Sequence, residues 1–401
     1  MAKSKTKSKA DAIRESIMGK LGKINKTIVQ TTDNAHKPEG WGTGSIQLSQ
    51  AVGDLVYKGR LTQLASFESG GKTTITIEVV IETISKYPDK IVVFADMERH
   101  LDMDYVNAIS NRILGCDIPE DNFILLKPAN AEQLDVALSE IFSSFGHDIS
   151  LLVIDSVAST RLGNQMDVIV GDKQAQAIHA RLWSEFSPKL NTWATTYDTA
   201  VLLTNQLRQK LATGAMDRFK ISSNIGINYG SNSGDDGIIA TGGNTLRFYL
   251  AVSYLLTMRK KIKVDVVNPL TGEVTQEEIS TVYSIENRKN KVDIPYRRGS
   301  YVITYGEGLD DSQFLQEWAR EEGLIETRGS FISYKGKSAF KANGKRAFHE
   351  QIEKVIPELK QMWLDKVNKS SNFINAQTKT DDKKDKNKKD DNSSGVKEIS
   401  L

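Results

Sequence analysis

One stretch constrains this chain more than any other: Ser66 to Thr74, SFESGGKTT. It follows the apolar run GRLTQLA (Gly59–Ala65) and precedes TTITIEVVIETI (Thr73–Ile84), an order that reads as strand, Gly-containing loop and helix. Such a loop points its N–H groups, and the positive end of the helix dipole, at an anion. The pattern is G-x-x-x-x-G-K-[ST]; Gly71, Lys72 and Thr73 satisfy its end, and Ser66 stands where its first glycine belongs. There Lys72 reaches β- and γ-phosphates and the Thr73 hydroxyl ligates Mg²⁺, with Phe67, Glu68, Ser69, Gly70 and Thr74 completing the cradle. If the backbone at residue 66 needs φ > 0, the serine costs about 1 kcal/mol or more. Alone, these residues also fit a Gly-Gly turn entering an ordinary helix; the segments downstream decide between the two.

Those segments repeat one plan. IVVFA (Ile91–Ala95), SLLVIDS (Ser150–Ser156) and TAVLLTNQ (Thr199–Gln206) are short apolar runs rich in β-branched residues, as in a buried parallel sheet. Helices are expected from about Asp104, over 131–146 and over 174–194. Strands alternating with helices predict an α/β fold with a mostly parallel central sheet. Polar residues collect where the strands end, which is where such sheets bind ligands. Asp155 closes one strand, where an acid can hold Mg²⁺ or simply cap the next helix. Glu98 lies just past another, where a carboxylate can take a proton from an attacking water or be a surface acid. Gln206 ends a third, immediately before a Gly-, Asn- and Ser-rich segment, 207–243, that is too long for an ordinary loop. Leu246–Lys260, Thr281–Asn287 and Ser300–Gly306 read as further strands, with hairpin turn residues in Val267–Glu278. Residues 312–366 read as short helices around the turn motif FISYKGKSAFKANGK.

The ends differ in character. Ile13, Ile17, Leu21 and Ile24 form one apolar helical face behind a Lys-rich start, and from about Lys369 the chain is too polar to bury a core. The expected divisions are 1–41 (basic segment and helix), 42–310 (core), 311–368 (small α/β C-terminal domain) and 369–401 (disordered charged tail). With Lys+Arg 53 against Asp+Glu 51 over 401 residues, overall charge selects no partner. Cys116 is the single cysteine, so an internal disulfide is excluded; it reads as a small buried hydrophobe in a reducing compartment. No apolar run approaches the ~18 residues of a membrane span, and the N-terminus lacks a secretory h-region, so the cytoplasm of a cell or an infected host is expected.

GRLTQLASFESGGKTT, FADMERHLDMDY, LLVIDSVA, LLTNQLRQK, TGGNTLRFY, RKNKVDIPY, ITYGEGL and SYKGK together resemble the RecA family of recombinases over about residues 42–345, in a divergent, bacteriophage-like form. The resemblance implies a RecA-like phosphate-loop ATPase core with an N-terminal polymerisation helix. It implies ATP and Mg²⁺, a homo-oligomeric helical filament on single-stranded DNA, a homologous duplex as second substrate, and mediator or single-strand-binding proteins as further partners. By residue, it implies that Glu98 is the catalytic base, that Asp102, Tyr105, Tyr305 and Gly306 touch the adenine side, and that Asp155 is the acid near the metal. It makes Gln206 the link from γ-phosphate to the second DNA loop. Lys289 and Lys291 become cations reaching a neighbour's ATP, which the residues alone would also allow to be a solvated turn, and Phe248 becomes an interface residue. DNA contacts are implied for Arg181, in a first loop near Asp167–Arg181, for Arg208, Lys210 and Thr241, Gly242, Gly243 and Asn244 in the second loop, and for Lys335 and Lys337. The function implied is ATP-dependent homologous pairing and strand exchange in recombination and repair. A ring ATPase or helicase, and an ATP-binding DNA coat with weak turnover, are the rival readings; Ser66 keeps the second open.

Overall fold

The computed structural model describes residues 37–163, 173–209, 238–267 and 274–367. The helix expected near residues 10–24, Asp167–Asp172, Lys210 with most of the second DNA loop, and the charged tail lie outside the described residues. The chain divides into two compact units between Asp310 and Asp311.

In the first unit, β1 (Gly40–Trp41) pairs antiparallel with β2 (Val56–Tyr57), and α1 (Ile46–Val52) lies between them in sequence. The central sheet is built from β3 (Leu61–Ser66), β4 (Ile91–Asp96), β5 (Phe123–Leu126), β6 (Ile149–Asp155), β7 (Ala200–Gln209), β8 (Ile238–Ala240), β9 (Val252–Val267), β10 (Val274–Asn290), β11 (Arg298–Thr304) and β12 (Gly308–Asp310). Its order is β12-β11-β10-β9-β3-β7-β6-β4-β5, with β8 added to the end of β7. From β9 to β5 every pairing is parallel; β9 to β12 form an antiparallel wing. This is the α/β architecture the alternating pattern predicts.

Helices cover both faces: α2 (Lys72–Lys86) and α3 (Met103–Leu114) on one, α4 (Ala131–Phe145), α5 (Lys173–Tyr197) and α6 (Gly243–Tyr249) on the other. The apolar runs are continuous because each strand feeds two cores. Leu151, Val153 and Leu202 pack with Ile75 and Val79 of α2, whereas Leu152, Ile154, Val201 and Leu203 pack with Leu138, Trp183 and Leu190. The strand expected from Leu246 begins later, at Val252. Leu246, Phe248 and Leu250 alternate like a strand, but Leu246 and Leu250 are buried four residues apart while Phe248 is 74% exposed, a helical turn entered through left-handed Gly242. Cys116, expected in the core, is exposed just beyond α3.

The second unit is α/β, as expected of 311–368, but FISYKGKSAFKANGK forms strands and not a turn motif between helices. The unit holds α7 (Ser312–Glu321), an antiparallel sheet of β13 (Ile325–Arg328), β14 (Phe331–Tyr334) and β15 (Phe340–Asn343), and α8 (Lys345–Ile352), with 356–367 helical. FISY alternates, burying Ile332 and Tyr334 and exposing Phe331, which is strand periodicity.

Candidate functional site

Parallel pairing fixes what stands beside the phosphate loop. Ser66 at the end of β3 is in register with Gln206 on β7, and Asp96 on β4 with Asp155 on β6. β7 sits between β3 and β6, so chemistry from distant parts of the sequence lies in one row at the carboxyl ends.

The loop runs from Phe67 to Gly71 and enters α2 at Lys72. Its left-handed positions are Ser69 (φ 55°) and Gly71 (φ 74°). Ser66 is the last, fully buried residue of β3 and is not among the residues with positive φ, so the strain a serine there would carry does not arise. Its hydroxyl accepts from Lys72 Nζ at 2.8 Å and donates to Phe67 O at 2.6 Å. A Cβ on Gly70 would stand 2.1 Å from Ser66 Oγ, so the serine fills the space the loop encloses. Burial pushes the Lys72 ammonium down, against the pull of Asp155, Glu98 and Glu68. Thr73 is exposed at the start of α2, and Thr74 Oγ1 lies 3.0 Å from the Tyr105 hydroxyl.

Beside the loop the acids meet. Glu98 Oε1 accepts from Ser156 Oγ at 2.5 Å, Ser159 Oγ at 3.0 Å and Gln206 Nε2 at 3.3 Å. Asp155 is buried and accepts from Thr204 Oγ1 at 2.5 Å; burial pushes its carboxyl up to about 6. Among the described residues no cluster of three carboxylate, His or Cys ligands could hold a metal unaided. Asp155 is close enough to the loop for its charge to act on Lys72; Thr73 and Asp155 are the hydroxyl and the carboxylate that an Mg²⁺ with phosphate and water as its other ligands would use. Ser156, Ser159 and Thr204 are the participants that sequence reading missed; the available signal was S-x-x-S directly after a strand-final acid.

The loop and the antiparallel wing border an open cleft of about 420 Å³, lined by Ser69 to Thr74 with Met258, Lys261, Tyr283 and Tyr305. The Tyr305 hydroxyl lies 2.7 Å from Thr281 Oγ1, and Gly306 (φ 80°) turns the chain next to it. Asp102 caps α3, accepting from the N–H groups of Asp104 and Tyr105.

The expected DNA and interface residues lie further out. Arg181 is well inside α5 rather than in a loop, 81% exposed and paired with Glu185 at 3.1 Å. Arg208 lies on β7, where it is in register with Ile239 of β8; these strands form the stem of the long segment. That segment returns through Thr241, whose carbonyl accepts from Asn205 Nδ2 at 2.7 Å and whose hydroxyl donates to Gln206 O at 3.3 Å. Gln206 therefore touches Glu98 with its side chain and the returning segment with its backbone. Gly242 and Gly243 open α6, with Asn244 exposed. Lys289 Nζ donates to Arg247 O and Lys291 Nζ to Phe248 O at 3.1 Å, both at the carboxyl end of α6. Burial, then Lys291 and Arg247, push the Lys289 ammonium down to about 8. In the second unit Lys335 pairs with Glu326, and Lys337 N–H donates to Glu358 Oε1 at 2.6 Å.

A family model described as the RecA N-terminal domain matches residues 10–310. The protein named Protein RecA of Bacteroides thetaiotaomicron is 30% identical over 336 residues, 83% of this chain and 89% of its own. Its namesake in Nitratiruptor is 31% identical over 310 residues, 77% and 78% of the two chains. That of Campylobacter jejuni is 28% identical over 357 residues, 87% and 92%.

Proposed function

The chain belongs to the RecA family, and from that premise we propose that it is an ATP-dependent homologous recombinase, filamentous on single-stranded DNA, that pairs a homologous duplex and exchanges strands. The observation that carries the reading is Gln206, hydrogen-bonded to Glu98 on one side and to Thr241 of the long segment on the other. That arrangement suits a residue that reports the state of a γ-phosphate to a DNA-binding loop.

In this reading Lys72 and the loop N–H groups bind the phosphates, and the pocket beside Tyr305 takes the nucleoside; Gly306, which follows Tyr305, and Tyr105, whose hydroxyl meets Thr74, complete the adenine side together with Asp102. Mg²⁺ held by Thr73 and Asp155 would neutralise charge between the β- and γ-phosphates. Glu98, held by two serine hydroxyls and Gln206, takes a proton from the attacking water. Lys289 and Lys291 supply charge to the ATP of a neighbouring subunit, against which exposed Phe248 packs. Arg181, Arg208, Lys210, the Thr241–Asn244 turn, Lys335 and Lys337 contact DNA, largely through phosphates, while base pairing reads homology. No helix among the described residues is long and apolar enough to cross a membrane; a cytoplasmic place of action fits this reading.

The Ser66 hydroxyl on Lys72 keeps a second reading in play, a filament that binds ATP but turns it over weakly. The deciding experiment pairs strand exchange between a single strand and its homologous duplex with ATP turnover, with and without single-stranded DNA. Exchange with homologous but not heterologous DNA is expected, with turnover stimulated by DNA. Binding without exchange or turnover leaves the coat reading; closed rings on DNA leave the ring ATPase.

A further inference from the structure

Helix α2 carries a carboxylate that the proposed chemistry does not use. Glu78 lies one turn beyond Thr74, is fully buried, and points away from the loop into the packing between α2, α3 and the start of β12. Its Oε1 accepts from the Arg112 guanidinium and from the backbone N–H of Leu309 at 2.8 Å. Arg112 in turn donates from Nε to the carbonyl of Glu307 at 3.0 Å. A Cβ on Gly308 would lie 2.5 Å from Glu78 Oε1, so the backbone of this turn rests directly on the carboxylate. The turn so held, 306–309, follows Tyr305, which lines the pocket over the phosphate loop.

A second polar link joins the same helices. Thr74 and Glu78 are four residues apart on α2; Tyr105 and Arg112 are seven apart on α3. Each pair therefore shares a helix face, and Thr74–Tyr105 and Glu78–Arg112 form successive polar rungs. The first is beside the phosphate loop, and the second extends to the turn behind Tyr305. A buried carboxylate is costly unless its partners are fixed; here the carboxylate stands on the loop's own helix, and its partners belong to α3 and to the turn that follows Tyr305.

We propose that Glu78 and Arg112 are positioning residues for the nucleoside end of the pocket: they hold the Tyr305–Leu309 turn at a fixed distance from the phosphate loop, and so set affinity for a nucleoside triphosphate over its bare triphosphate. This deepens the proposed function and rests on its reading of the pocket as the nucleotide site. The pair acts on the base wall and not on the phosphate cradle, which distinguishes it from a general stabilising contact.

The test uses the full chain, without DNA. Arg112→Met alone strands a buried carboxylate and can fail to fold, so the variant of choice is Glu78→Met/Arg112→Met, which removes both charges at similar volume. Calorimetric titrations compare adenylyl imidodiphosphate with inorganic tripolyphosphate, each with Mg²⁺. The double variant should bind the nucleotide analogue roughly tenfold more weakly, the scale of one or two lost polar contacts, and tripolyphosphate within about twofold of wild type. Unchanged nucleotide binding, or equal weakening of both ligands, overturns the positioning role. Failure of the wild-type protein to bind the nucleotide analogue instead overturns the reading of the pocket itself, and this role with it.

Discussion

At the scale of single residues, Ser66 separates two costs that a sequence cannot. A serine in place of the first glycine is harmful if the backbone there is left-handed, and harmless if it is extended. It is extended, and the loop places its positive φ at Ser69 and Gly71 instead. What remains is the hydroxyl, 2.8 Å from Lys72 Nζ, where it competes with a phosphate for the ammonium. Ser66→Ala and Ser66→Gly should therefore both tighten nucleotide binding severalfold. Both lose the hydroxyl's hydrogen bonds, and the glycine should be less stable than the alanine by about a further 0.5–1 kcal/mol, because it loosens the unfolded chain at a strand position. Nucleotide titrations and melting curves on the two variants check this, and affinity that stays level or drops in the alanine variant would show that the hydroxyl does not compete. The neighbouring acids were legible as strand ends, but their partners were not. Ser156, Ser159 and Thr204 look like ordinary polar residues until β4, β6 and β7 are set side by side, because register, not local sequence, brings the two serines to Glu98 and the threonine to Asp155.

At the scale of elements, the parallel strands were readable because both faces are buried, and two cores demand an unbroken apolar run. A short segment can fit two periods at once. Leu246 to Leu250 satisfies alternation and a helical turn equally, and only the packing of Leu246 and Leu250 beside Trp183 selects the helix. The strands at 325–343 were hidden in a similar way, by charged turns that dominate the local composition. The carboxyl end of α6 receives the two lysines expected to act on a neighbour's ATP. Lys289, wedged against Lys291 and Arg247, has its ammonium pushed down from the ordinary 10.5 to about 8. The folded state disfavours the charged form, so folding is penalised below about pH 8, and the penalty fades as pH rises toward 10.5. The charge itself runs the other way, present below about pH 8 and lost above it. ATP turnover on single-stranded DNA should accordingly decline as pH rises past 8, with the midpoint displaced upward by any phosphate the lysine meets. Lys289→Arg stays charged and should hold its rate through that range. Coincident pH profiles for wild type and Lys289→Arg would mean that this charge does not limit turnover.

At the scale of the whole molecule, the question is whether one chain contains a complete site. Within the first unit, the base candidate Glu98 stands beside the phosphate loop, held by Ser156, Ser159 and Gln206. Lys289 and Lys291 instead spend their hydrogen bonds on the carbonyls of Arg247 and Phe248, next to a phenylalanine that is 74% exposed. A large exposed aromatic flanked by cations suits contact with a second copy of the chain rather than with the chain's own loop. If each site is shared between neighbours, two different defects must complement. Glu98→Gln keeps the lysines and the shape of the base but cannot take the proton, a loss of ~10²–10⁴ in rate. A Lys289→Ala/Lys291→Ala variant keeps the base but withholds cations that, supplied in trans, can be worth ~10³–10⁵. Each alone should hydrolyse ATP poorly on single-stranded DNA. Mixed in equal amounts, they should create some junctions where an intact base faces intact lysines, and turnover should rise well above the mean of the two. Co-sedimentation on DNA confirms that the variants assemble together. A mixture that co-assembles yet stays at that mean would place the lysines' action within their own subunit, and the filament would then be dispensable to catalysis.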